Sequence, residues 1–204
     1  MSEWREAVWA AVPAGAAPER FEERLRWLLG FVRAGDRVLD LGCGDGSFAA
    51  ALMGAGAQVT MADAAAGALE RAQVAAPGAR AVQVAEDGPL PFPDEAFDLA
   101  WCGETLEHVA DAAGLAAEAR RVIGPGGAFL VTTPNQPRLA VAMEALAGRP
   151  LERRLDPRSD HLRFFTARTL RALLAGAGFG EVLVEAGGGP PGFRRSLRAV
   201  ARRG

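Results

Sequence analysis

Residues 37–63 read RVLDLGCGDGSFAAALMGAGAQVTMAD, and the order of residue types in this stretch decides the fold. A short apolar run, Arg37–Leu41, ends on a cluster of glycines at Gly42, Gly44 and Gly46. An Ala- and Leu-rich segment starts near Ser47, and a second apolar run, Gln58–Ala62, leads to Asp63. Strand, tight glycine turn, helix and strand in that order form the βαβ unit of a parallel sheet. The glycines let the backbone approach a ligand closely, and the first turn of the following helix presents free N–H groups to it. The glycine spacing is G-x-G-x-G. A dinucleotide pyrophosphate needs the third glycine one residue later, so the spacing argues against NAD.

The same rhythm continues outward. Short apolar runs at Ala81–Ala85, Phe97–Trp101 and Ala128–Thr132 alternate with segments long enough to be helices, which predicts an α/β domain. The runs are nearly continuous in their hydrophobicity, as strands are when both faces of a sheet are covered. Upstream, residues 3 to about 33 read as two helices broken near Pro13–Pro18, the second with Phe21, Leu25, Leu28, Leu29 and Val32 at helical spacing. Downstream, Thr166 caps a helix running to about Ala177 and closed by Gly178. Residues 181–186 read as a strand, and Ser196–Arg202 as a last, antiparallel one, with an amphipathic basic helix as the competing reading.

At 204 residues the chain suits one domain, 1–204, at roughly 150 residues per domain. Within it we expect an N-terminal helical lid (1–33), a cofactor-binding core (36–133), a substrate-lid insertion (134–160) and a C-terminal helix and strands (161–204). Half the residues are apolar and 24% are charged, the balance of a globular protein. The net charge of -2 offers no global field for nucleic acid or a membrane surface. All 23 basic residues are arginine, which removes Schiff-base and P-loop lysine chemistry. Two cysteines, Cys43 and Cys102, exclude a disulfide framework and suit a reducing compartment. With no signal-peptide pattern and no apolar run of about 18 residues, the expected location is the cytoplasm, with no membrane partner.

The stretch Val38–Asp63, together with LPFPDEAFD (90–98), ETLEHV (104–109) and GPGGAFLVTTPN (124–135), resembles class I S-adenosylmethionine-dependent methyltransferases, with similarity to quinone-pathway O-methyltransferases. The resemblance covers about residues 36 to 186 and implies a Rossmann-like, seven-stranded, mostly parallel sheet with helices on both faces and the last strand antiparallel. It implies that Asp40, Gly42 and Gly44 shape the pocket for the amino-acid part of the cofactor and that Asp63 holds its ribose. Either Glu86 or Asp87 would meet the adenine amino group, and Cys43, Ala64 and Cys102 complete the cofactor-binding set. The product would be S-adenosylhomocysteine.

Methyl transfer is an in-line displacement that needs alignment and a destination for one proton. The Asn- or Asp-Pro-Pro-aromatic signature of DNA amino-methyltransferases is missing, since Cys102-Gly103-Glu104-Thr105 stands in its place. His161, in DHLRFFT, is the first candidate base for an acceptor hydroxyl, and His108 the second. Were residues 104–108 helical, Glu104, Glu107 and His108 would share a face and, with His161, could ligate Mg or Mn. The competing reading has Glu107 and His108 packing beneath the cofactor. Trp4, Trp9, Met143, Leu146 and Arg149, Arg153, Arg154 and Arg158 are expected in the lids over a small-molecule acceptor. Two rival functions remain open at this point. One is a metal-dependent RNA 3′-terminal 2′-O-methyltransferase, with the tail arginines Arg194, Arg195, Arg198, Arg202 and Arg203 on phosphate; the other is a non-catalytic binding subunit. Oligomeric state is not readable from these residues.

Overall fold

The structure, a computed structural model, describes residues 2–13, 15–148, 152, 155, 156 and 159–204. Two helices come first, α1 (Ser2–Ala11) and α2 (Phe21–Leu29). The βαβ rhythm then runs β1 (Arg37–Leu41), α3 (Ser47–Gly54), β2 (Gln58–Asp63), α4 (Ala66–Ala75), β3 (Arg80–Gln83), β4 (Phe97–Gly103), a single 3-10 turn (Leu106–His108), α5 (Ala112–Val122) and β5 (Ile123–Pro134). After α6 (Arg138–Ala147) come α7 (Ala167–Gly176), β6 (Glu181–Gly187) and β7 (Ser196–Arg202).

The strands form one sheet in the order β3-β2-β1-β4-β5-β7-β6. β1, β2, β3, β4 and β5 pair in parallel, whereas β7 is antiparallel to both β5 and β6. The chain winds outward from β1 to β3, then returns to place β4 on the other side of β1. The crevice at the carboxyl ends of β1 and β4 is therefore the switch point at which open α/β sheets hold ligands.

Alternation along each strand builds two apolar layers. Leu39, Ala100, Phe129 and Val131 face the layer that contains Leu170 and Leu174 of α7, while Val38, Leu99, Trp101 and Leu130 face Leu28, Leu52 and Ala72 of α2, α3 and α4. On β7, Leu197, Ala199 and Ala201 are buried and alternate with less buried residues. This two-residue period is why the segment is a strand and not a basic helix. Its arginines have partners at the surface: Arg198 with Glu23, Arg202 with Glu181 and Arg203 with Glu95. Thr166 caps α7 as expected, in a reciprocal box with Thr169, and Gly178 beyond its end has φ +92°.

No residue of α6 is buried, and Met143 and Leu146 are 53% and 90% exposed, so neither side chain reaches the interior. The side chain of Trp4 and the arginines Arg149, Arg153, Arg154 and Arg158 lie outside the described residues. Among the described residues no helix is long and apolar enough to cross a membrane.

Phe129 sits fully buried in β5 and stacks on Phe179 with ring centroids 5.8 Å apart. Phe129→Ala is expected to cost about 3–5 kcal/mol of stability, read as a lowered midpoint in urea unfolding at unchanged slope.

Candidate active site

The glycine turn is shaped by what surrounds it. Gly42, Gly44 and Gly46 all have positive φ, at 76°, 56° and 79°. A Cβ at Gly42 would strike the Thr105 side chain, one at Gly44 would lie 2.6 Å from the Trp9 ring, and one at Gly46 would lie 2.7 Å from the Ala72 backbone. The N–H groups of Gly42 and Cys43 both donate to the Ala62 carbonyl, at 2.8 and 3.1 Å. Asp63 completes the clamp: one carboxylate oxygen accepts from Gly44 N–H and the other from Ala65 N–H, each at 3.0 Å. A single acidic side chain thereby fixes the spacing between the glycine turn and the start of α4.

Above this turn lies a cavity of about 720 Å³, in the size range of small-molecule sites. Gly42, Cys43, Gly44, Asp63, Ala64, Glu86 and Asp87 all line it, as the sequence reading expects. Asp87 Oδ1 also accepts from Asp111 N–H at 3.3 Å. Two members of the expected set stand elsewhere. Asp40 is 1% exposed behind the wall, and Cys102 is fully buried in the apolar layer shared with Leu39 and Leu106. The alternation of β4 sends the Cys102 side chain away from the layer that holds Trp101, so that side chain lies in the core and does not line the cavity. Burial pushes both thiols well above the ordinary range, which leaves neither as a nucleophile.

The electrostatics of the crevice are unusual. Burial, and then the Asp63 charge, push the Asp40 carboxyl up to about 7. Opposite it, Arg24 of α2 is only 6% exposed, and burial lowers its affinity for its proton. Its guanidinium lies 4.7 Å from the Phe48 ring and 5.6 Å from the Trp101 ring, and donates to the Glu19 carbonyl at 3.2 Å. A Cβ at Gly103 would collide with this guanidinium, so the glycine at the end of β4 makes room for it. The sequence reading missed Arg24. The available signal was its position three residues after Phe21 and four before Leu28, on the apolar stripe of the helix. Three buried polar atoms here lack a hydrogen-bond partner: Asp40 Oδ2, Arg24 Nε and Glu107 Oε1. Such atoms are costly unless a ligand meets them.

At the other end of the cavity, residues 104–108 do not form the helical face that the spacing suggested. Glu104 has a left-handed φ of 56°, and only Leu106–His108 forms a 3-10 turn. Glu107 is 1% exposed, accepts from the Thr133 hydroxyl at 2.9 Å and is raised well above the usual carboxylate range by burial and by Glu104. The N–H groups of Leu162 and Arg163 both donate to the Glu107 carbonyl, at 2.7 and 2.9 Å, which brings His161 back from beyond the insertion. His108 Nδ1 lies 2.9 Å from the Asp160 carbonyl, which assigns its proton to Nδ1 and the lone pair to Nε2. The two imidazoles meet edge to face at 4.9 Å. Ligand atoms of Glu107, His108 and His161 fall within 4.8 Å of one another, so three of the four expected metal-ligating residues converge and Glu104 does not.

The sheet order, the glycine turn at its switch point and the acid at the end of β2 define the class I methyltransferase fold. Comparison with known proteins agrees. The methyltransferase domain family model matches residues 3–184, and the chain belongs to that family of S-adenosylmethionine-dependent enzymes. It is 36% identical over 144 residues to the ubiquinone biosynthesis O-methyltransferase of Thiobacillus denitrificans, covering 68% of this chain and 61% of that protein. It is 38% identical over 117 residues to the 27-O-demethylrifamycin SV methyltransferase of Amycolatopsis mediterranei, covering 54% of this chain and 43% of that one. The chain thus spans about 61% of the length of the ubiquinone-pathway relative. Among solved structures, an S-adenosylmethionine-dependent methyltransferase from Mesorhizobium loti superposes with a TM-score of 0.72 at 25% identity over 91% of this chain and 98% of that one.

The raised carboxyl of Asp40 has a pH signature. A native value of about 7 above the ordinary 3.8 means that its contribution to stability is complete below about pH 4 and is lost as pH rises through 7. The ligand-free protein should therefore lose stability between pH 5 and 8 by an amount on the order of a few kcal/mol. Glu107 is raised in the same direction, so Asp40→Asn should reduce that slope in urea titrations and leave the part that Glu107 carries, and an unchanged slope would clear Asp40 of the effect.

Proposed function

We propose that the chain transfers a methyl group from S-adenosylmethionine to a hydroxyl oxygen of a small organic acceptor. The observation that carries this reading is that a buried carboxyl, Asp40, and a buried guanidinium, Arg24, lie near enough to feel each other's charge without forming an ion pair, and each keeps an unmet polar atom. A cofactor that presents an ammonium, a carboxylate and a sulfonium supplies the complementary charges: Arg24, which lines the cavity, meets the carboxylate, and Asp40 favours the ammonium through its field from behind the wall. Asp63 retains acceptor capacity for a ribose hydroxyl, and Glu86 or Asp87 accepts from the adenine amino group.

When bound, the cofactor supplies an electrophilic methyl group. The chain's own contribution is alignment and a proton acceptor. His161 lines the cavity, and its Nε2 lies 3.9 Å from Asp160 Oδ1, a carboxylate that stabilises the imidazolium once it forms. Transfer would break the cofactor's S–CH3 bond, leaving S-adenosylhomocysteine, and form an O–CH3 bond on the acceptor, whose O–H proton would pass to His161. The small-molecule O-methyltransferases among the relatives support this acceptor class over RNA, and the complete pocket supports catalysis over a binding-only role. Three of the five tail arginines, Arg198, Arg202 and Arg203, are engaged in ion pairs, which weighs against a phosphate role for those three. Two buried free cysteines accord with work in the cytoplasm.

A second reading rests on the convergence of Glu107, His108 and His161. One carboxylate and two imidazoles suit Mn better than the all-oxygen preference of Mg, and Glu107 Oε1 has no other partner. A bound cation would hold and acidify an acceptor hydroxyl there.

Two measurements separate the parts. Arg24→Met should weaken S-adenosylhomocysteine by about 1.5–3 kcal/mol in calorimetry and leave 5′-methylthioadenosine, which lacks the amino-acid arm, unaffected. Asp63→Ala should weaken both, and equal losses for Arg24→Met would remove Arg24 from the carboxylate role. With a methyl-accepting phenol or catechol, His161→Ala should lower kcat by about 100-fold or more while cofactor affinity holds. Loss of wild-type turnover in chelator, with recovery on adding Mn, would favour the cation reading; turnover indifferent to chelator would leave His161 as base alone.

A further inference from the structure

We propose that Glu6 and Trp9 of α1 are positioning residues of the cofactor site, Glu6 acting as a latch that sets how fast the cofactor and its product exchange. The inference rests on the reading of the cavity as a cofactor site. Helix α4 starts at Ala66 behind Ala65, which has no side chain able to cap it. The missing cap comes from another element: Glu6 Oε1 accepts from Ala66 N–H at 2.5 Å, and Oε2 accepts from Gly67 N–H at 3.0 Å. A carboxylate at a helix N-terminus also meets the positive end of the helix dipole.

The turn that Glu6 grips is the one Asp63 grips from below. Ala65 N–H goes to Asp63, and the next two N–H groups go to Glu6. One turn further on, Arg71 of α4 donates to the Val12 carbonyl just past the end of α1, at 2.8 Å. Between these two anchors the Trp9 indole lies against Gly44, at the point where any Cβ would collide with it, and it lines the cavity. Among the side chains of α1 whose burial is described, none is buried. Among the described side chains of α1, the contacts that hold it over the glycine turn are the two Glu6 bonds, the Arg71 bond to the Val12 carbonyl beyond its end, and the Trp9 contact. Those polar bonds can break and re-form without disturbing the sheet.

The test is the exchange of S-adenosylhomocysteine by the full chain, followed by stopped-flow displacement. Loss of both charge-assisted bonds in Glu6→Ala should speed release by about tenfold, Glu6→Gln should fall between, and Trp9→Ala should match Glu6→Ala. In the Glu6 variants, whose side chain does not line the cavity, the KM for the cofactor should rise in step while kcat is unchanged or higher, a split that a general loss of structure does not produce. Thermal midpoints of the ligand-free variants check that each is folded, and Trp9→Ala carries the test should Glu6→Ala fail to fold. Release rates equal to wild type in the folded variants would overturn the latch. Failure of the wild-type chain to bind S-adenosylhomocysteine would overturn the cofactor reading beneath it.

Discussion

Burying a carboxyl group with one oxygen left unmet is among the most unfavourable things a fold can do, and this one does it twice, near the carboxyl ends of the central strands β1 and β4. Asp40 and Glu107 are each 1% exposed, each has one oxygen without a hydrogen bond, and each is pushed toward its neutral form. Arg24 is the buried cation facing them, and it too has an unmet nitrogen. In the proposed reading the cost is offset at the switch point of a parallel sheet, where the carboxylate arm of a bound cofactor would meet Arg24 and its ammonium would feel Asp40. Much of the local sequence serves this arrangement: Gly103 admits the guanidinium, Phe48 and Trp101 support it, and Thr133 holds Glu107.

The second theme is economy of tethering. Asp63 fixes the glycine turn to α4 through two backbone N–H groups, and Glu6 takes the next two. The Glu107 carbonyl does the same for the acceptor end by accepting from Leu162 and Arg163. Each tether uses one acceptor group to join segments apart in sequence, so backbone bonds help to set the positions of His161, the glycine turn and α1. Elements held in this way can move while the sheet stays rigid.

Much of this was legible in the residues. The period-two runs, the G-x-G-x-G turn and Asp63 identify the sheet and its ligand crevice, because those patterns reflect local sterics and strand alternation, both short-range effects. The antiparallel β7 was legible for the same reason. What sequence could not supply was long-range. The E-x-x-E-H spacing suggested a helical face, yet the left-handed Glu104 and a 3-10 turn replace it, because β4 must end beside Arg24 and the Thr132 carbonyl accepts from Glu104 N–H at 2.9 Å. Cys102 fell on the core side through strand alternation, and Arg24 was hidden in an apolar stripe. The Glu6 cap joins residues 60 apart and has no local signature.

The account's central claim is that the buried acid and arginine exist for a cationic amino-acid cofactor, and proton counting tests it most directly. Titrating S-adenosylhomocysteine into the protein at pH 6.5 in two buffers of different ionisation enthalpy measures both affinity and protons exchanged. The account predicts one-to-one binding with net proton release, because Asp40, held near 7 in the free protein, ionises against the ligand's ammonium. Absence of binding, or binding with proton uptake, would contradict it.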